Sequence, residues 1–183
     1  MGLGAGQIAD EIDFETLKQA SSERPTWRLV QAAAQTLNHD VDVMIQFGVG
    51  STVIDTHNFH DEVTNNTRVT PTVAGIYVVT GVLFMSGANN VTRIEAAIGL
   101  NGTIQVPRMR EVHMRDSAGG VNDLVSDSTS RTSPRAWGIF TANGTTDYFE
   151  FMGRHTRQAA ATLDTAVGTP SFATVFEGYL LRD

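Results

Sequence analysis

The amino-acid sequence predicts an all-β protein, either a sandwich or a jelly roll. Short apolar or alternating segments recur along most of the chain, with glycine, proline, asparagine and aspartate between them, as is typical of strands joined by turns. No long segment carries its apolar residues at helical spacing. With 183 residues, of which 41% are hydrophobic, the chain can support one domain with a substantial core.

The first 24 residues differ from the rest and are predicted to form an N-terminal arm, residues 1–24. Glycines at alternate positions begin it, an acidic stretch follows, and Asp13 can cap one helical turn or a short helix. Four apolar side chains at spacings of three and four residues are the expected anchoring groups of the arm: Ile8, Ile12, Phe14 and Leu17. So short a helix is marginal alone, so the arm needs a surface, either on its own domain or on a neighbouring molecule.

Residues 25–183 are predicted to form the β domain. The expected strands are 27–37, 41–47, 75–86, 93–100, 104–114, 136–142, 147–155 and 172–181. Asn101-Gly102 and Asn143-Gly144 are strong turn signals, and the first of them predicts a hairpin. The polar stretch 116–134 is predicted to be a long loop.

Three of these strands carry apolar residues on both faces. In strand 75–86, for example, Ile76 and Val78 alternate with Tyr77 and Val79. A two-layer sandwich buries only one face of each sheet, and an uncovered second apolar face would be adhesive. Self-association is the simplest cover for that face, and loops or the arm are the alternative.

Several segments, in the right order, resemble the globular C1q/TNF-like domain family. They are Asn-Phe-His-Asp at 58–61, Thr-Pro-Thr-Val-Ala-Gly-Ile-Tyr at 70–77, Arg-Ile-Glu-Ala-Ala-Ile at 93–98 before Asn101-Gly102, Thr-Asp-Tyr-Phe-Glu-Phe at 146–151, and Phe-Glu-Gly-Tyr-Leu-Leu at 176–181. The resemblance covers about residues 27–183. It implies a ten-strand jelly roll that assembles as a compact homotrimer around a three-fold axis.

The departures from that family point to one version of it. The sequence has no cysteine, no collagen-like stalk and no secretory signal pattern, so a secreted animal member is not expected. The chain resembles instead the C1q-like domains of tailed-bacteriophage structural proteins, in which a segment similar to residues 5–14 precedes the domain. Together with the two-faced strands, the resemblance predicts a trimer whose shared surface includes Tyr77, Trp137, Tyr148, Met152 and Tyr179.

Composition excludes several classes of partner. Lys+Arg 13 against Asp+Glu 20 gives a net charge of −7, which disfavours nucleic acid and anionic membranes as partners. No apolar run is long enough to span a bilayer, so membrane insertion is not expected.

The search for chemical sites predicts none. His57, His60 and Asp61, with Asp55 nearby, form the best metal candidate, but the spacing is not a metalloprotease motif and a polar loop is the expected reading. Acidic residues in the predicted loop 116–134 are expected to be solvated rather than to bind calcium. The chain has no Gly-x-Ser-x-Gly elbow, no cysteine nucleophile and no dinucleotide-binding loop. We expect no catalytic residue, no metal and no cofactor.

These observations predict a non-enzymatic virion structural protein of a tailed bacteriophage, a trimeric knob at the virion surface. Its arm would bind the major capsid protein or another virion protein, and so short an arm favours a capsid decoration protein over a distal fibre. The alternative is a tail- or collar-associated module that binds a receptor or a host-surface glycan.

Overall fold

A computed structural model describes residues 24–86, 91–104, 110–114 (backbone), 133–157, 161–165 and 173–183. Within these ranges the chain forms thirteen strand segments and no helix. They are β1 (Thr26–Val30), β2 (Thr36–Leu37), β3 (Val43–Met44), β4 (Thr52–Asp55), β5 (Arg68–Val69), β6 (Gly75–Val82), β7 (Val91–Leu100), β8 (Thr103–Ile104), β9 (Arg110–Met114), β10 (Arg135–Ala142), β11 (Phe149–Arg157), β12 (Leu163–Asp164) and β13 (Val175–Arg182). Apart from Arg24, the predicted arm lies outside the described residues, as do the four anchoring residues and most of the predicted loop.

Two sheets make up the architecture. The first has five strands in the order β10-β6-β13-β1-β4. The second has the order β3-β11-β7-β8, with β5 paired to β11 and β9 paired to β7. A two-stranded ladder of β12 and β2 lies beside them. All the ladders between named strands are antiparallel, and chain neighbours often lie in different sheets, which is the connectivity of a jelly roll.

The core lies between the two sheets. It is rich in aromatic rings, and its largest fully buried side chains include Trp27, Tyr77, Phe47, Phe149, Phe151 and Phe176. The Trp27 ring stacks on Phe149 with centroids 5.9 Å apart, and Phe151 stacks on Phe176 at 5.8 Å. These contacts join the two sheets, because Trp27 and Phe176 belong to the first and Phe149 and Phe151 to the second. The predicted all-β sandwich is confirmed.

Glycines make room for the largest core rings. Gly178 is the register partner of Trp27 on the neighbouring strand, and a Cβ placed on Gly178 would overlap the Trp27 indole. A Cβ placed on Gly81 would likewise overlap the ring of Phe151, which belongs to the opposite sheet. The ring volume is therefore matched by a position that has no side chain.

The turn predictions agree with the backbone. Asn101 and Gly102 have φ values of 54° and 76°, as the two central residues of a type I′ hairpin require, and they connect β7 to β8. At the second turn the Asn143 side-chain oxygen accepts hydrogen bonds from the backbone N–H groups of Thr145 and Thr146, both at 2.9 Å.

Some predicted strands are shorter than expected. The predicted strand 27–37 is divided into β1 and β2, and only Val43 and Met44 of the predicted strand 41–47 form a ladder. Ile45 and Phe47 are buried as that pattern predicts, whereas Val41 is 47% exposed. Strand β4 was not predicted, because its sequence Thr-Val-Ile-Asp is short and lies at the edge of the first sheet.

Candidate functional site

The outward side of the five-stranded sheet, called here the apolar face, carries large hydrophobic side chains. Exposed and buried residues alternate strictly along strand β10, so that Trp137 and Ile139 point away from the core. The register places Ile139 beside Val78, and Val78 beside Tyr179 of β13. In the next row Trp137 lies opposite Thr80, and Thr80 opposite Glu177. Cross-strand neighbours on one side of a sheet form a continuous surface.

Much of this surface is open to solvent in the single chain. Trp137 is 62% exposed, Ile139 53%, Ile54 44% and Tyr179 38%. Isolated apolar residues at a protein surface are ordinary, but a contiguous patch on a flat sheet usually marks a contact surface. The apolar face is therefore the best candidate for a functional site in the described part of the chain.

A shallow depression of about 300 Å³ lies in the middle of the apolar face. Thr26, Arg28, Ile54, Val78, Thr80, Glu177, Gly178 and Tyr179 are among the residues that line it. Arg28 and Glu177 form an ion pair across it, with Nε and Oε2 3.7 Å apart and both side chains nearly half exposed. So exposed a pair adds little stability, but it adds two charged groups to a lining that also contains Ile54, Val78 and Tyr179.

Only two of the five predicted interface residues lie on the apolar face, namely Trp137 and Tyr179. Tyr77 belongs to the core: it has no exposed surface, its hydroxyl donates to the Val73 carbonyl at 2.7 Å, and burial raises the pKa of Tyr77 to about 12. Its assignment to the shared surface is corrected, because in β6 the even-numbered residues Ile76 and Val78 point outward.

Met152 and Tyr148 lie in or beside the second sheet. Met152 is 4% exposed, so it has almost no surface to offer to a neighbouring chain. The Tyr148 ring is half-buried under the Arg68 guanidinium, 4.1 Å from the ring centroid. The structure therefore separates these two residues from Trp137 and Tyr179.

Sequence reasoning missed Ile139 and Ile54 as members of the apolar face. For Ile139 a signal was present, because Trp137 and Ile139 alternate with the small residues Ala136 and Gly138. Small residues on one side of a strand fit a crowded sandwich interior, so the larger residues between them point outward. Ile54 had no such signal, since β4 has only four residues.

The chain enters the described domain beside the apolar face. The Arg24 guanidinium lies over the Tyr179 ring, 4.5 Å from its centroid, and donates to the backbone carbonyls of Leu180 and Leu181. The Leu180 N–H donates to the Pro25 carbonyl at 2.9 Å. The predicted arm thus joins the domain at the end of β13, next to Tyr179.

The outward side of the six-stranded sheet, called here the charged face, has a different chemistry. Arg154 contacts Asp40 at 2.6 Å, Asp42 at 3.9 Å and the buried Glu95 at 3.9 Å. Arg93 also pairs with Glu95, whose side chain is 2% exposed. Hydrogen bonds from Arg154 hold the pKa of Asp40 below its usual value.

A second buried carboxylate on the charged face belongs to Glu150, which has no exposed surface. Arg68 is its ion-pair partner, with Nε 3.4 Å from Oε1. Burial nevertheless raises the pKa of Glu150, and the Arg68 charge only partly opposes that effect.

The metal candidate predicted from the sequence is a network of backbone contacts. The Asp55 carboxylate accepts hydrogen bonds from the N–H groups of His57, Phe59 and His60, at 3.3, 2.9 and 2.9 Å. The His57 ring contacts the Thr56 hydroxyl at 2.8 Å. Across the described ranges no group of three acidic or histidine side chains is placed to hold a metal ion. The acidic residues of the loop 116–134 lie outside those ranges.

A smaller depression of about 110 Å³ lies beyond the end of β1, lined by Gln31, Gln35, Gln46 and Asn66 among others. The Gln31 amide donates to the Gln46 carbonyl at 3.3 Å, and the Gln35 amide donates to the Met44 carbonyl at 2.9 Å. These amide groups hold neighbouring loops together. Within the described residues there is also no helix with the length and hydropathy needed to cross a membrane.

Comparisons with known proteins place the fold. No protein-family model matches the sequence, and no significant match is found among curated proteins. Solved structures do match. The globular domain of zebrafish complement 1qA protein has a TM-score of 0.50 and 12% identity, covering 86% of this chain and 98% of that one. Eiger TNF from S. frugiperda has a TM-score of 0.56 and 12% identity, covering 88% and 94%. Murine APRIL has a TM-score of 0.53 and 12% identity, covering 86% and 99%.

The fold is therefore the C1q/TNF-like jelly roll, as the resemblance in the sequence implied. At 12% identity these likenesses define the architecture and leave the function to the surface of this chain.

Proposed function

We propose that this protein is a non-enzymatic structural protein of a tailed-bacteriophage virion, a homotrimeric knob that decorates the capsid. The observation that carries the proposal is the apolar face, which leaves Trp137, Ile139 and Tyr179 open to solvent in the single chain. The predicted arm joins the domain beside it, at Arg24. The resemblance to C1q-like phage proteins and the C1q/TNF-like fold support the same reading.

The trimer is proposed because the apolar face needs a cover that the described chain does not supply. Covering an aliphatic side chain such as Ile139 stabilises an assembly by roughly 1.5–3 kcal/mol. In a three-fold ring every interface is heterologous, so the apolar face of one chain meets a different surface of the next. Each chain then covers one neighbour and is covered by the other.

The arm is proposed as the attachment device. Ile8, Ile12, Phe14 and Leu17 would bind the major capsid protein or another virion protein. Ordering the arm costs about 1–2 kcal/mol of backbone entropy per residue, so one arm alone binds weakly. Three arms on one trimer act together, and such avidity strengthens binding by about 10²–10⁴-fold.

The capsid is the proposed position of the knob, and a tail- or collar-associated module that binds a receptor or a host-surface glycan is the alternative. This reading assigns the protein to the virion surface, with assembly in the host cytoplasm.

The first test is the mass of the full-length protein in solution. Light scattering is expected to give three times the chain mass at micromolar concentration. A stable monomer under those conditions would refute the proposed homotrimer and therefore the proposed trimeric knob.

The second test concerns attachment. Capsids lacking the protein are mixed with the full-length chain, with a deletion of residues 1–23 that keeps Arg24, or with a full-length variant in which the four anchoring residues are serine. Both altered proteins are expected to stay trimeric and to fail to join the particles. If they bind as well as the full-length chain, the arm is not the anchor; binding of none of the three would exclude the capsid as partner.

A further inference from the structure

The imidazole of His60 lies between two backbone carbonyl groups. Its Nδ1 is 2.7 Å from the Arg68 carbonyl oxygen in β5, and its Nε2 is 2.7 Å from the Phe47 carbonyl oxygen just after β3. Both distances are short for a hydrogen bond between nitrogen and oxygen. The ring therefore bridges two segments that are more than 20 residues apart in the sequence.

Whether both hydrogen bonds of this bridge can form depends on which ring nitrogens of His60 carry a proton. A carbonyl oxygen only accepts hydrogen bonds, and a neutral imidazole has only one N–H to donate. A neutral His60 would place the lone pair of one ring nitrogen against a carbonyl oxygen at 2.7 Å. An imidazolium has two N–H groups and satisfies both acceptors with charge-assisted hydrogen bonds.

We propose that His60 is held as an imidazolium and acts as a pH-sensitive latch that ties the segment after β3 to β5. The latch is closed while both ring nitrogens carry a proton. When the pH rises and one proton is lost, one of the two hydrogen bonds is lost with it. Histidine is the side chain best suited to such a change near neutral pH.

Acidic side chains lie close to His60. Asp55 accepts the His60 backbone N–H at 2.9 Å, and Asp61 and Glu62 follow directly in the sequence. The backbone N–H groups of Thr64 and Val63 hold the pKa of Asp61 below its usual value. The backbone N–H of Gly50 is the main cause of the same effect on the pKa of Glu62. Both carboxyl groups are therefore ionised.

The basic side chains near His60 contact other groups. The Arg68 side chain points to Glu150 and Tyr148, and the His57 ring contacts the Thr56 hydroxyl. Of the charged side chains described around His60, the acidic ones therefore dominate.

The latch holds two exposed loops in place. The Phe47 N–H donates to the Asn66 carbonyl at 2.7 Å, so both the N–H and the carbonyl of Phe47 have hydrogen-bond partners. Glu62 accepts hydrogen bonds from the N–H groups of Gly50 and Thr52, which joins the loop after Phe47 to the loop after His60. These loops carry Val49 and Val63, which are 76% and 77% exposed. Opening the latch would loosen this edge of the sandwich while the aromatic core stays packed.

The direct test is the ¹⁵N NMR spectrum of the histidine rings of the full-length protein at pH 7. Both ring nitrogens of His60 are expected to give the signals of protonated nitrogen. His155 is the internal contrast, because it is fully buried with Nε2 3.0 Å from the Leu37 carbonyl and burial lowers its pKa, so one of its ring nitrogens should be unprotonated. A spectrum in which His60 has one unprotonated ring nitrogen at pH 7 would overturn the proposal.

A second measurement uses His60→Gln and the matched control His57→Gln. Urea unfolding is followed at pH 6 and pH 9. The unfolding constant of His60→Gln relative to wild type is expected to be about tenfold larger at pH 6 than at pH 9, as for one charge-assisted hydrogen bond. His57→Gln should show no such difference, since the Thr56 hydroxyl can accept or donate. If His60→Gln has the same relative effect at both pH values, the latch does not exist, and the ring spectrum decides the matter independently if this variant does not fold.

Discussion

The two outward faces of the sandwich have opposite chemistry. On the apolar face, Trp137 and Ile139 are more than half exposed to solvent. The exposed ion pair of Arg28 and Glu177 lies between these residues and β4. On the charged face, Glu95 and Glu150 are almost completely buried and each has an arginine beside it. On the charged face the two buried carboxylates have arginine partners within the same chain. On the apolar face the large apolar side chains have no cover among the described residues.

This difference shows how one fold separates stability from assembly. Removing a partner from a buried charge affects the folding of the single chain, whereas placing a charge on an exposed apolar patch affects contacts between chains. Substitutions on the two faces should therefore change different measured quantities.

The largest effect is expected from the double variant Trp137→Ser/Ile139→Asp. It should weaken association between chains by at least about 100-fold, because a charge would be buried at the centre of the contact. The fold should remain, since both side chains are more than half exposed. Sedimentation equilibrium over a concentration series measures the association, and circular dichroism measures the fold.

The control for this variant is Val63→Asp, which places a charge on a residue that is 77% exposed but lies outside the apolar face. It should leave the mass in solution unchanged. If the double variant associates as strongly as the wild type, the apolar face is not the contact surface.

A smaller effect, on folding, is expected from Arg154→Ala on the charged face. Because Arg154 contributes to the neutralisation of the buried Glu95, its removal should lower the free energy of unfolding by about 1–3 kcal/mol. The mass in solution should not change. Arg28→Ala on the apolar face is the matched control, and it should cost less than about 0.5 kcal/mol because its ion pair is exposed. Urea titrations compare the two variants, and equal losses would refute the distinction between the faces.

The smallest effect is expected from Glu150→Gln. Burial raises the pKa of Glu150 in the folded chain above its ordinary value of 4.5, so ionisation of this carboxyl at neutral pH opposes folding. The wild type should therefore gain stability from this group as the pH falls through the raised pKa toward 4.5, and the variant should not. At pH 7 the variant should be more stable by up to about 1 kcal/mol, and the difference should disappear near pH 4. A variant that is less stable than the wild type at pH 7 would show that the Arg68 pair outweighs the burial.

The sequence predicts the strands and turns of the fold better than the outward surface. The alternation in β6 separates Tyr77 and Val79 from Ile76 and Val78 correctly, and the Asn101-Gly102 turn is where the pattern places it. Which side of β6 points inward is a different question, because both sides are apolar and a shift of one residue exchanges them. The pattern therefore predicts Tyr77 on the shared surface, whereas the structure places it in the core.

The charged face was missed for a related reason. Glu95 and Glu150 lie within strands, and acidic residues there are usually taken to be exposed. Their burial depends on residues distant in the sequence, such as Arg68, Arg154 and the strands that pair with β7 and β11. A pattern along one strand contains no information about such partners.

The pairing of Trp27 with Gly178 constrains how this sequence can diverge. A side chain of any size at position 178 needs a smaller one at position 27, and a smaller ring at position 27 leaves a hole that only a larger residue at 178 fills. Gly81 and Phe151 are bound by the same rule across the two sheets. Relatives that keep this sandwich at low identity should therefore change these positions in pairs, and such paired exchanges would identify them where single motifs no longer do.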